Sequence, residues 1–308
     1  MNIMNQIGIS YEANYLVQGN QIDRCKISTK LKVKNIELQI RSDGKDFNIS
    51  TIKKNFKDNI IFHMPTLNVK LKNLKELEEQ VKELVKNNIK MVTINASNLN
   101  KEVFDFCTVE EQKEYFSNIV TAIATLAQHK IVVAVENMPS NNEFFGSTLE
   151  EVSDIIIYSK KMLIKKFKFN EDDANKYIGL CLNTKNILKS GTINDVINWL
   201  KVFDNNIKCI KVNNNKDIIN TVINLAAQKE YEFPIIFTTK KELEEVDKEY
   251  KKITNIIKEI LKIDNVDIKE EKQPKQLDEN GFSNIIVLSI VLMTIVIAIL
   301  MVLVKFKA

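Results

Sequence analysis

Nine polar residues stand at or near the C-terminal ends of short apolar runs: Ser10, Glu37, Gln39, His63, Asn95, Glu136, Asn183, Lys211 and Thr238. Three kinds among them can do chemistry. A carboxylate, an imidazole and an amine can exchange protons or grip a polar ligand. A carboxylate with an imidazole can also hold a divalent ion. The richest stretch is residues 131–139, IVVAVENMP, five apolar residues followed by Glu136, Asn137, Met138 and Pro139. Continuous Val/Ile runs mark parallel strands covered on both faces, and their C-terminal ends are where such folds keep functional groups. The chain has two histidines. His129 precedes this run, so it falls at the opposite end from Glu136, and imidazole chemistry at the strand ends rests on His63.

Eight apolar runs must position these residues: 6–10, 35–40, 59–63, 91–95, 131–136, 177–182, 207–212 and 233–238. Helical patterns lie between them. Leu74, Leu77, Val81, Leu84 and Val85 share a helical face, with Asn73 placed to cap. Thr108 with Glu111, Ser147 with Glu150, and Thr239 with Glu242 have the spacing of capping boxes. Strand and helix alternating eight times predict an α/β fold, a (β/α)8 barrel over residues 1–263. A doubly wound sheet is the alternative. Side chains in a strand alternate, so Glu136 points inward with Ala134 and Val132. The same parity puts Gly179 and Cys181 behind Asn183, and Ile207 and Cys209 behind Lys211. Strands five and seven share layers, which could bring the Lys211 ammonium to Glu136. Such a pair is either an acid/base or ligand-gripping device, or a salt bridge that keeps the barrel top folded. The third outcome is that the two never meet.

Composition narrows the class. Seven glycines and four prolines in 308 residues exclude a fibrous or low-complexity chain. A net charge of +4, dispersed along the chain, argues for no nucleic-acid partner. Cys25, Cys107, Cys181 and Cys209 form no CxxC and read as free thiols. Residues 264–284 are a polar linker. Residues 285–304, IIVLSIVLMTIVIAILMVLV, carry no charge over a length that spans a hydrocarbon core as a helix, and 305–308 are a short basic tail. Ile285 to Val304 therefore predict a bilayer partner and a single-pass C-terminal anchor. No charged and apolar leader opens the chain, so the barrel is expected on the cytoplasmic side. The lysine run Lys160, Lys161, Lys165, Lys166 and Lys168 falls at a helix end on the face opposite the strand C-termini. It is either a solvated helix end or a surface for anionic lipid.

Four segments together resemble the strand-end motifs of the xylose isomerase-like and apurinic-endonuclease TIM barrels. They are FHMP at 62–65, VENMP at 135–139, IGLCLNTKN at 178–186 and IKCIKVNNN at 207–215. The resemblance covers residues 6 to 262. It implies strand-end His, Glu and Asp ligands to divalent metal, serving sugar isomerisation or epimerisation, or attack on a phosphodiester. Glu136 matches the family glutamate and His63 the third-strand histidine. Elsewhere the ligand types are replaced. Asn95 stands for a fourth-strand His, Asn183 and Asn186 for the sixth strand's Asp-x-x-His, Lys211 for the seventh-strand His and Asn214 for a nearby Asp. Thr238 and Thr239 stand where the family has Glu. Neutral amides are poor metal ligands. The expectation is no resident cofactor and only weak divalent-metal binding through Glu136 and His63. Asn95, Asn137, Asn183, Asn186 and Asn214 become candidates for binding a small polar ligand. A degenerate, membrane-tethered barrel binding such a ligand or a protein partner is the primary reading. A sugar isomerase or epimerase using Glu136 with Lys211 or His63 for proton transfer is the alternative.

Overall fold

In the computed structural model the described residues are 3–12, 15–40, 48–64, 74–141 and 143–270. Eight parallel strands close into a barrel in chain order: β1 (Ile7–Tyr11), β2 (Asn35–Gln39), β3 (Asn59–His63), β4 (Met91–Asn95), β5 (Val132–Glu136), β6 (Ile178–Asn183), β7 (Ile207–Val212) and β8 (Ile235–Thr239). Pairing of β1 with β8, from Ile7↔Ile235 to Tyr11↔Thr239, completes the ring and excludes the doubly wound sheet. The strands follow the apolar runs to within about two residues because burial on both faces demands unbroken hydrophobicity.

The strand parity puts one small cluster inside the ring: Ile61, Ala134, Cys181, Cys209 and Ile236. The larger core, between strands and helices, contains Val133, Val135, Leu180 and Ile210 among many others. Ile207 breaks the expected parity and joins that larger core. The cause is a register shift: Leu180 pairs with Ile207, but Cys181 pairs with Cys209. Lys208 is therefore an extra residue on β7, and such a bulge turns its neighbours to new directions.

The caps set how helices leave the strands. Thr108 and Glu111 form the expected capping box. The second box lies one residue later than expected, at Thr148 and Glu151. That shift lets Glu151 Oε2 accept from the amides of Gly146, Ser147 and Thr148 at 3.0, 3.0 and 3.2 Å. Thr239 caps nothing: it ends β8 and bonds Glu249, while the last helix starts at Val246. Leu77, Val81 and Leu84 are buried, but Val85 is about half exposed and lies off that face. Asn73 lies outside the described residues.

The chain divides into two units, Met1–Leu261 and Lys262–Ala308. The last helix runs Val246–Glu270, so residues 264–270 of the expected linker are helical. The expected anchor, Ile285 to Val304, and the basic tail lie outside the described residues. Among the described residues no helix is long and apolar enough to cross a membrane.

Candidate functional site

Four side chains meet at the C-terminal end of the barrel. Lys211, from β7, points its Nζ between two carboxylates, 2.6 Å from Glu136 Oε2 on β5 and 2.7 Å from Glu37 Oε1 on β2. His63, at the end of β3, places Nδ1 3.5 Å from Glu136 Oε2 and 3.9 Å from Glu37 Oε1. Glu37, Glu136 and Lys211 are each about 5% exposed or less. A charge left alone at such depth costs several kcal/mol, so the pairing is obligatory.

Each of the four oxygens of the two carboxylates accepts a hydrogen bond from the protein side. Glu37 Oε2 accepts from Ser10 Oγ at 2.5 Å, and Oε1 accepts from Thr93 Oγ1 at 2.5 Å as well as from Lys211. Glu136 Oε1 accepts from Asn183 Nδ2 at 2.6 Å. Burial alone raises a carboxyl, but at Glu37 the Lys211 charge, His63 and the bonds from Lys211 and Ser10 outweigh it and hold the group down at about 2. Burial pulls Lys211 down, and the two carboxylates overcome it and keep the ammonium charged well above its ordinary range.

Proton counting fixes the imidazole. Thr93 has one hydroxyl hydrogen, and it goes to ionised Glu37. Toward His63 the same oxygen can then only accept, across 3.0 Å, so Nδ1 carries the ring hydrogen. Nε2 is left as a lone pair with no partner among the described residues. Burial first, and then the Lys211 charge, lower the His63 pKa against the opposing pull of Glu136, Glu37 and Glu12, which keeps the ring neutral. His63 also lines a cavity of about 240 Å³ with Ser10, Tyr11, Glu12, Glu37, Gln39 and Lys240.

Glu136, Lys211 and His63 are thus together. The five asparagines have separate places. Asn183 grips Glu136, and its Oδ1 caps the turn at Lys185 and Asn186. Asn137 ties β5 to β6, accepting from the Asn183 amide at 2.7 Å. Asn186 donates to the Asn137 carbonyl at 2.7 Å. Asn95 ends β4 in register with Glu136. Asn214 bonds Glu249 and lines a different groove, beside Ile219 and Ile253. Motif reading passes over Thr93 and assigns no role to Glu37, although Glu37 stands among the strand-end polar residues. Their signal was parity: each precedes a strand-end residue, Gln39 or Asn95, by two positions and so shares its face.

Glu37, His63 and Glu136 each offer a ligand atom within 4.8 Å of the others, a donor set of the type that holds a divalent ion. The position such an ion would take is held by Lys211 Nζ, hydrogen-bonded to both carboxylates. The set as built does not fit a tightly held metal, because a covalently attached ammonium already stands between the two carboxylates, offsets one of their two charges and would repel a divalent ion.

No protein-family model and no curated protein matches the sequence. Solved structures do match in fold. One is the 3-keto-D-glucoside 4-epimerase of E. coli, at 8% identity and TM-score 0.59, covering 81% of this chain and 99% of that one. An AP endonuclease of family 2 from Brucella melitensis gives 12% identity and TM-score 0.51 over 77% and 93% of the two chains. A xylose isomerase-like TIM-barrel protein from Mycobacterium smegmatis, in complex with magnesium, gives 9% and 0.52 over 78% and 89%. The (β/α)8 barrel is therefore a fold that this chain shares with these proteins.

Proposed function

We propose that the barrel mouth is a metal-independent site that binds a small polar ligand, with Lys211 serving as a built-in cation. The observation that carries this reading is the position of Lys211 Nζ, 2.6 and 2.7 Å from the two carboxylates. Because the Glu37 and Glu136 oxygens already accept protein hydrogen bonds, a ligand meets the imidazole and the cavity rim first. Metal analysis of the purified full chain, with thermal shifts in Mn²⁺ or Zn²⁺, tests it. The expected result is no stoichiometric ion and a small shift for the wild type, with a larger shift for Lys211→Met. A stoichiometric ion in the wild type, with a shift lost in Glu136→Gln, would overturn the reading.

A second reading rests on the free Nε2 of His63: proton transfer in a sugar isomerase or epimerase, as the similarity in fold to epimerases suggests. Its test is deuterium incorporation at carbon from D2O into candidate sugars. Incorporation lost in His63→Gln supports turnover, and none across a broad panel leaves binding alone. Tethering through Ile285 to Val304, with the barrel on the cytoplasmic side, belongs to the same proposal and rests on the sequence of that segment. Nucleic acid is not an expected partner.

A further inference from the structure

At the other end of the barrel, where β6 and β7 begin, two lysines lie half-buried with no ion-paired acid among the described residues. Lys160, on the helix Leu149–Phe167, donates from Nζ to Asn175 Oδ1 at 2.8 Å and to Asn206 Oδ1 at 2.5 Å. One of its three N–H bonds remains unassigned. Lys208 is the extra residue of the β7 bulge and has no hydrogen-bond or ion-pair partner among the described residues. Its stem crosses Gly179: a Cβ there would stand 2.8 Å from Lys208 Cγ and 2.1 Å from the Asn206 carbonyl. Bulge and glycine together lay this side chain over the barrel floor.

Burial and the neighbouring Lys208 charge push the Lys160 amine down to about 8, with Glu171 pulling weakly the other way, and burial lowers Lys208. The nearby acid Asp204 is already engaged by Lys229 and Tyr231. Two ammonium groups that repel each other, one held only by amide oxygens and the other by no partner, with no ion-paired carboxylate among the described residues, are an uncompensated positive centre, and a half-buried polar group without a partner calls for one. Lys161, Lys165, Lys166 and Lys168 stand exposed on the same helix end and extend the field.

We propose that Lys160 and Lys208, framed by Asn175 and Asn206, bind a phosphate group on the face opposite the mouth. A phosphate offers several acceptor oxygens to two point-charge donors and relieves their repulsion. It can come from free phosphate or from a phosphomonoester lipid headgroup. The test uses the full chain in neutral detergent, titrated with inorganic phosphate and with a soluble short-chain phosphatidic acid. A short-chain phosphatidylcholine serves as control. Binding of phosphate and phosphatidic acid identifies a phosphate site open to both sources; binding of phosphatidic acid alone assigns it to lipid.

In either case Lys160→Met and Lys208→Met should each weaken binding by about tenfold. Lys160→Arg and the exposed-site variant Lys161→Met should keep it. Lys208→Met removes no hydrogen bond, so it carries the test if Lys160→Met does not fold. No binding of either probe, or binding that both Met variants retain, overturns the proposal.

Discussion

At the scale of residues the molecule turns on how one lysine is shared. Lys211 neutralises part of two carboxylates at once, so its removal leaves them facing each other without a counter-charge. Breaking a buried pair in this way costs about 3–5 kcal/mol, which denaturant unfolding of Lys211→Met should read. The pH dependence has a definite sign. The folded-state Glu37 is held down at about 2, so its contribution is complete above the unfolded value of about 4.3 and is lost as pH falls toward 2. The His63 shift is also downward, which favours the neutral ring in the fold. Its contribution is complete above about 6.5 and declines as pH drops below that value. Stability should therefore fall in two acid steps, and Glu37→Gln should flatten the lower one. The tautomer has its own check. With two histidines, a long-range ¹H–¹⁵N spectrum is assigned by His129→Gln. His63 should show a protonated Nδ1 and a bare Nε2, and Thr93→Val should disturb that pattern. A protonated Nε2 in the wild type would contradict the proton count.

At the scale of elements, strands were easier to read than caps. NIIFH, MVTIN and IKCIKV match β3, β4 and β7 end to end, because burial on both faces leaves an unbroken apolar run. The Ser147 and Thr148 hydroxyls are one residue apart, and only the structure shows which one the helix uses. Thr148→Ala should cost about 1 kcal/mol in thermal or denaturant unfolding, and Ser147→Ala less. The site was half legible. VENMP pointed to Glu136, and shared parity brought Lys211 within its reach. NIELQI offers Glu37 as its only carboxylate, but nothing in the run shows that it meets the ammonium, because that depends on barrel closure between residues 174 positions apart. The bulge at Lys208 was also invisible, since IKCIKV contains no glycine or proline to mark it.

At the scale of the whole molecule, the barrel unit and the C-terminal segment make separate predictions. Removing residues 285–308 should release the protein from membranes that hold the full chain through an alkaline carbonate wash. Retention of the truncated chain would assign membrane association to some other part. The resident-ion question also belongs here, because the fold is shared with a protein in complex with magnesium while the centre of this ring carries a lysine.

The interior of the ring has one more consequence. Cys181 and Cys209 sit in register beneath the charged layer, both fully buried, and burial lifts the Cys181 thiol well above its ordinary range. Cys25 is buried among the helices and raised to about 12, whereas Cys107 is partly exposed. Alkylating reagents act on accessible thiolates. A native chain should thus take up one label quickly, a second at Cys25 when the helix layer loosens, and the last two only when the staves part. The slowest phase is a clock for barrel opening that needs no added probe, and any occupant of the mouth or the floor should slow it.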